Sequence, residues 1–406
     1  MSQKAIKRVF LINVTCGFGS TGRIVTGLAR ELESYGYVTR IAYGRGNAPE
    51  ELDAYRIGSD LDVNLHGILS RITDRQGFYS TAATKRLIEE IKRFDPQIVH
   101  LHNIHGYYLN VRLLFEFLKS SHIRVIWTLH DCWSFTGHCT HFEYIGCQKW
   151  QKGCSHCEQL REYPKSLLMD SSERNYYEKL ELFGDMPHME LVTPSYWLKG
   201  KAEQSFMGKY PISVVPTGID LESFAPTPSE LRARYNIGER FLVLGAASPW
   251  RERKGLFEFY KLARSLSDKY VIVLLGLNKK QIEALPPGII GLGRTDSIKE
   301  MAQWYTAADA YVNLTLEDTF PTTNIEALAC GTPVVTYMAG GSPEAIGEGC
   351  GMSVPRNSIE GAVAALDTIR RGPDMSSACV KRAMEYGSEE RFSQYCTQVY
   401  EKNENN

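Results

Sequence analysis

Short apolar runs, each followed by a stretch of helical length, recur along the whole chain. In the first half, residues 8–14, 37–43, 97–101, 124–129, 190–193 and 212–215 read as strands, and 8–14 is a largely apolar run rather than an alternating one. Strands buried on both faces have this pattern, because helices cover both sides of a parallel sheet. Amphipathic stretches at 23–35, 85–94, 173–183 and 195–206 supply those helices. The second half repeats the scheme, with strands at 241–247, 270–275, 288–293 and 310–314, another opening at 332, and helices ending near 266, at 301–308 and at 323–330. The alternation predicts doubly wound α/β architecture. Residues 47–81 fit it least, being polar and then apolar around 65–72, and are expected to be an insertion carrying a helix.

With 406 residues the chain exceeds one ordinary core, so two domains of about 200 residues are expected. Its formal charge of −1 provides no general field for nucleic acid, and no nucleic-acid partner is expected. No apolar run approaches the roughly 18 residues that span a bilayer, and 9–14 is too short for a signal-peptide core. A cytoplasmic location is the default expectation. Half of the ten cysteines fall between Cys132 and Cys157, which ordinary composition does not explain.

The richest chemistry lies at 316–335. A strand end leads through Glu317-Asp318-Thr319-Phe320-Pro321 into the 323–330 helix, which Gly331 and Pro333 close. The unbonded N–H groups at such a helix start attract an anion. Asp318 precedes the helix and Glu326 follows after seven intervening residues, so carboxylates for hydroxyls stand beside donors for phosphate. Glu326-Ala-Leu-Ala-Cys-Gly-Thr-Pro-Val resembles the donor-site signature of family 4 retaining glycosyltransferases. The head of the motif departs from the common form, and Asp318 or Glu317 takes the place of its first glutamate.

That resemblance implies the GT-B fold, two facing Rossmann-like parallel-sheet domains with the active site in the cleft between them. Pro216-Thr-Gly-Ile-Asp220 is similar to the family's interdomain segment, which divides the chain into 1–211, on the acceptor side, and 212–386, for the nucleotide sugar. Residues 387–406 form the helix that crosses back. In the family a lysine before glycine, together with an arginine, holds the departing diphosphate, since without a catalytic metal the charge must be met by cations and N–H dipoles. Lys254 matches the lysine; Pro249 occupies the usual arginine position, so Arg251 or Arg253 takes that role. Arg294, at the end of the 288–293 strand, faces the same edge. Thr322, Thr323 and Asn324 are the expected phosphate donors through backbone N–H, and Asp318 and Glu326 the carboxylates for sugar or ribose hydroxyls.

In the first half, Gly17, Gly19 and Gly22 satisfy a dinucleotide-type spacing, yet the second strand ends in Gly44-Arg45-Gly46 with no acid for an adenine ribose. A hydride-transfer enzyme is thereby disfavoured. The loop resembles the first loop of two-domain glycosyltransferases, with Gly19 facing phosphate; a plain tight turn is the alternative. His100, His102 and His105 cluster at a strand end, as cleft polarity or metal ligands. His130-Asp131 closes the next strand, and the family resemblance implies that His130 faces the donor sugar.

Cys139, Cys147, Cys154 and Cys157 stand with seven, six and two residues between them, a spacing that suggests a structural Zn2+, with free or redox-paired thiols as the alternative. Trp133, Phe135, Tyr144 and Trp150 in this loop either stack on sugars or form a core. The surrounding run, from Leu129-His-Asp-Cys-Trp to Tyr163-Pro164, resembles the colanic-acid and exopolysaccharide subgroup of family 4. The resemblance therefore implies retaining transfer from a nucleotide-diphosphate sugar to a growing polysaccharide or polyprenyl-diphosphate-linked glycan, with peripheral contact at the inner membrane. A non-catalytic nucleotide-binding protein and a nucleotide-sugar epimerase of similar fold are the alternatives.

Overall fold

In the computed structural model, residues 7–401 are described. The chain divides into two compact units, one running to Pro216 and resumed from Phe392, the other comprising Thr217–Arg391. The first holds seven strands: β1 (Arg8–Thr15), β2 (Val38–Arg45), β3 (Ala54–Arg56), β4 (Ile98–Leu101), β5 (Arg124–Thr128), β6 (Met189–Thr193) and β7 (Ile212–Val214). Their order is β3-β2-β1-β4-β5-β6-β7, every pair parallel. The order reverses between β1 and β4, and open α/β sheets bind ligands at the carboxyl edge of such a point. Val9, Phe10, Leu11 and Ile12 on β1 are wholly buried, as a central strand covered on both faces requires.

The second unit has six strands: β8 (Phe241–Ala246), β9 (Tyr270–Leu275), β10 (Ile289–Gly291), β11 (Ala310–Asn313), β12 (Val334–Tyr337) and β13 (Gly351–Val354). The order β10-β9-β8-β11-β12-β13 is again all parallel, with its reversal between β8 and β11. Both sheets are doubly wound and Rossmann-like, as the sequence pattern predicts.

The units part after Pro216 rather than at 211/212, because Ile212–Val214 pairs with Leu191–Thr193 as the edge of the first sheet. The chain rejoins the first unit at Phe392. There Tyr395, Cys396, Val399 and Tyr400 are buried against β1 and the helix Gly19–Ser34. Arg124 secures this segment by donating to the carbonyls of Val399 and Tyr400 while pairing with Glu190.

The insertion contains β3 and the helix Asp60–Thr73, which a Ser59/Asp62 capping box starts. Val63, His66 and Ser70 of this helix face inward, but Leu61, Leu65, Ile68 and Ile72 are exposed at 80, 58, 53 and 40 %. The spacing of those four places them on one face. Leu167, Leu168 and Met169, also exposed, adjoin that face where the Leu167 N–H donates to the Arg71 carbonyl.

Candidate active site

The second unit assembles most of the expected residues at the carboxyl ends of β8 and β11. After β8 the chain forms the turn Glu252–Lys254 and then Gly255 at φ +79°. A Cβ on Gly255 would lie 2.1 Å from the Leu314 carbonyl oxygen, so only glycine lets this turn rest on the end of β11. The Arg253 carbonyl accepts from the Leu316 N–H at 2.8 Å and from Thr315 Oγ1 at 3.2 Å, locking the two segments together. Lys254 Nζ then reaches Asp318 Oδ2 at 2.5 Å, both side chains mostly buried. Of the two acids that compete for the head of the motif, Glu317 is turned inward, 1 % exposed, and Asp318 meets the lysine.

The helix Thr322–Ala329 begins four residues after Asp318 without any side-chain cap. Glu326 is held at both oxygens: Thr322 Oγ1 donates to Oε1 at 3.1 Å, and the Tyr305 hydroxyl to Oε2 at 3.0 Å. Burial, reinforced by the Glu326 charge, raises the Tyr305 phenol well above its ordinary value, so it remains a neutral donor. Asn324 has a different part from the one expected. Its side chain is wholly buried between Asn313 and the Ser342 carbonyl, and its N–H bonds Pro321, so Thr322 and Thr323 lead the helix.

A cavity of about 300 Å³ opens here, its walls including Ser248, Gly276, Arg294, Tyr305, Thr323 and Glu326. Arg294 Nε donates to Ser248 Oγ at 2.6 Å, which fixes the guanidinium at the wall. The volume lies at the lower end of the range for small-molecule sites. Arg251 opens the turn before Lys254 in an exposed position and Arg253 is half-buried. Sequence reasoning missed Tyr305 and Ser248. Tyr305 carried no signal, being one apolar position of a helix, whereas Ser248 sits directly after a strand, where ligand groups gather.

In the first unit Gly19, at φ +69°, opens the helix Gly19–Ser34, again with no side-chain cap. His130 and Asp131 follow β5 as expected. His130 Nε2 lies 3.1 Å from Nδ1 of His102, and burial lowers its pKa to about 4, Asp131 opposing and His105 adding to the shift. Asp131 Oδ2 meets His105 Nε2 at 2.8 Å and its Oδ1 accepts from the Trp133 N–H. Although burial opposes its ionisation, His105 and these hydrogen bonds bring Asp131 down to about 2. His100 lies deeper, between Tyr400 and Thr128.

The cysteine loop departs from the zinc expectation. Cys139 and Cys157 hydrogen-bond thiol to thiol, and Cys154 and Cys147 lie nearby without completing a ligand set. Among the described residues no group of three or more His, Cys, Asp or Glu is arranged to hold a metal ion. The loop has a core of its own: Phe142 stacks on Trp150 at 4.7 Å with Phe135 beside them. Buried Lys179 ties it down by donating to the carbonyls of Trp133 and Thr136, and His138 pairs with Asp74. Trp133, Phe135 and Trp150 are therefore core residues, at most 2 % exposed.

Comparison with known proteins agrees with this arrangement. Residues 21–223 match Glycosyltransferase Family 4, and residues 229–386 match Glycosyl transferases group 1. The chain belongs to glycosyltransferase family 4. It is 22 % identical over 365 residues to a protein of Escherichia coli strain K12 described as a colanic acid biosynthesis glycosyl transferase, WcaC, covering 86 % of this chain and 88 % of that one. In fold the family 4 chain resembles sucrose-phosphate synthase from Thermosynechococcus elongatus, with TM-score 0.71, 16 % identity and 98 % of each chain covered. It also resembles HepE from Anabaena, solved in complex with UDP, with TM-score 0.67 and 13 % identity over 97 % of this chain and all of that one. The fold is GT-B.

Proposed function

We propose that this glycosyltransferase moves a sugar from a nucleotide-diphosphate sugar to a growing polysaccharide or polyprenyl-diphosphate-linked glycan of the bacterial surface, with retention at the anomeric carbon. The observation that carries the donor half is that Glu326 and Thr323, from an uncapped helix start, line one cavity, while Asp318, paired with Lys254, stands four residues before that helix. Cleavage of the sugar–phosphate bond leaves a doubly charged diphosphate. Lys254, the nearby arginines and the N–H groups of Thr322 and Thr323 would stabilise it without a catalytic metal. Glu326, its carboxylate fixed at both oxygens, would hold ribose hydroxyls, and Asp318 sugar hydroxyls once the donor draws Lys254 to its phosphates. Arg294 and Ser248 would line the base end. His130 would face the sugar from the first unit, with Gly19 near phosphate. The likeness to WcaC supports the polysaccharide assignment, and the family resemblance supports retention.

Contact with the inner membrane, where a lipid-linked acceptor is presented, would fall to the face bearing Leu61, Leu65, Ile68 and Ile72. Inserting one such side chain contributes about 1.5–3 kcal/mol if its burial is complete.

A panel of UDP-, GDP-, dTDP- and ADP-sugars, scored for binding and for slow hydrolysis, tests the reading. One member is expected to bind and turn over, with the α anomer retained. Lys254→Ala and Glu326→Ala are expected to abolish turnover while the protein stays folded. Near-wild-type rates in either variant would remove these assignments.

A further inference from the structure

We infer that His102 is the positioning residue of His130, holding it through a ring-to-ring hydrogen bond in which His102 Nδ1 carries the proton. The inference rests on the reading of His130 as a sugar-facing residue. His102 follows directly on β4 and His130 lies just beyond β5. These strands are parallel neighbours with Leu101 opposite Trp127, so the two histidines leave the sheet side by side. His102 Nδ1 and His130 Nε2 are 3.1 Å apart, with ring centroids at 5.4 Å and planes inclined by 21°. His100 stacks against His102 at 4.3 Å, and Trp127 Nε1–H donates to the His102 carbonyl at 3.1 Å. His102 is 1 % exposed, so packing and the backbone both fix its ring.

A hydrogen bond between two imidazole nitrogens uses one proton, and one ring must supply it. Burial first, then the neighbouring His100 and His130, lowers the His102 pKa well below the ordinary value, so both rings are neutral at pH 7. The far nitrogen of His102 decides which ring donates. Nε2 is buried with no hydrogen-bond partner among the described residues. An unpaired buried N–H is rarer and harder to tolerate than an unpaired acceptor, which places the proton on Nδ1. A recess of about 10 Å³ between His102 and Ser134 has room for one water, whose O–H would serve Nε2 as a donor and favour the same tautomer. His130 then accepts at Nε2 and keeps its own proton on Nδ1.

Histidine-selective 15N labelling of the full chain reports the tautomers at pH 7 without any ligand. Both His102 and His130 are expected as Nδ1–H forms, and a spectrum with His102 as the Nε2–H form overturns the inference. For function, His102→Phe keeps an aromatic ring and removes the donor. It is expected to lower kcat for hydrolysis of the nucleotide sugar selected by the panel about tenfold, the effect of losing one ordinary hydrogen bond. KM for the donor should stay unchanged. His102→Asn, which restores a side-chain N–H near the Nδ1 position, should recover most of kcat, whereas a purely packing role would predict the reverse order of the two variants. If His130→Ala keeps full turnover, the reading of His130 fails, and the tautomer is still judged on the spectrum. If His130→Ala is inactive and His102→Phe is unaffected, the positioning role alone fails.

Discussion

Tyr305→Phe isolates what it takes to hold the Glu326 carboxylate. The Tyr305 ring is wholly buried and lies edge-on to Tyr311 at 5.3 Å, so phenylalanine fills the same space and loses only the hydroxyl. That hydroxyl donates to Glu326 Oε2 at 3.0 Å, while Thr322 keeps its bond to Oε1. A hydrogen bond to a charged group contributes about 1.5–3 kcal/mol, which bounds the effect on nucleotide affinity at roughly ten- to a hundredfold. The lower end is expected, because Thr322 still restrains one oxygen. Stability is expected to fall by no more than about 1–3 kcal/mol, because the Glu326 carboxylate stays in place and loses one donor while the packing gains no cavity. Calorimetric titration with the nucleoside diphosphate that the wild type binds measures the first quantity, and thermal unfolding the second. Tyr305→Phe and Thr322→Val should be non-additive, because both act on one carboxylate. Unchanged affinity in Tyr305→Phe, beside a tenfold or larger loss in Glu326→Gln, would refute the positioning role of Tyr305.

Three further outcomes are expected. Gly255→Ala should unfold or strongly destabilise the second unit, because its Cβ meets a backbone carbonyl that cannot move aside; a melting temperature within a degree or two of wild type would contradict this. His66, His100 and His102 are buried and neutral, with His66 and His100 lowered to about 3 mainly by burial. The unfolded chain binds these protons from about pH 6.5 downward and the folded chain does not, so the contribution is complete above that pH and lost as it falls. Three such groups approach about 4 kcal/mol per pH unit as a limit below pH 6, and a denaturant midpoint that is equal or higher at pH 5.5 than at pH 7.5 would exclude this. Leu65→Glu with Ile68→Glu should release the protein from vesicles of phosphatidylethanolamine and phosphatidylglycerol in co-sedimentation while leaving nucleotide binding intact; wild type that never sediments rules out the membrane face.

The sheets were legible because strands buried on both faces leave uninterrupted apolar runs, and 8–14 and 270–275 each fall within a residue or two of β1 and β9. The helix Val111–Ser120 was not foreseen, although Asn110 caps it and its apolar face is plain once its start is known. The preceding loop of histidines and tyrosines hid that start. The second-unit site was readable because its chemistry is local: an acid, a helix start and a glutamate lie within ten residues, and one loop carries the lysine. Local spacing misled where long-range packing decides. Four cysteines within nineteen residues suggested one metal, but the loop folds around three buried aromatics and a lysine contributed from residue 179, which no spacing within the loop could indicate.

Asn324 and Asp318 show why the motif tolerates its unusual head. Asn324 is committed to the scaffold, bridging Asn313 at the end of β11 and the Ser342 carbonyl, so the start of the helix is fixed whatever residues precede it. The chain between β11 and that helix is anchored further by the Arg253 carbonyl, which sits beside Lys254, by the Gly341 N–H donating to the Asp318 carbonyl, and by Arg356 donating to the Leu316 carbonyl. An aspartate at 318, with its shorter side chain, still reaches Lys254, because the same backbone bonds that hold Leu316 bring the lysine close to it. The reach that glutamate has over aspartate is thus supplied by the turn ending in Gly255. Asp318→Glu should therefore crowd Lys254, leaving nucleotide affinity near wild type while slowing sugar transfer. A variant that transfers faster than wild type would show that this site is instead a weakened form of the common motif.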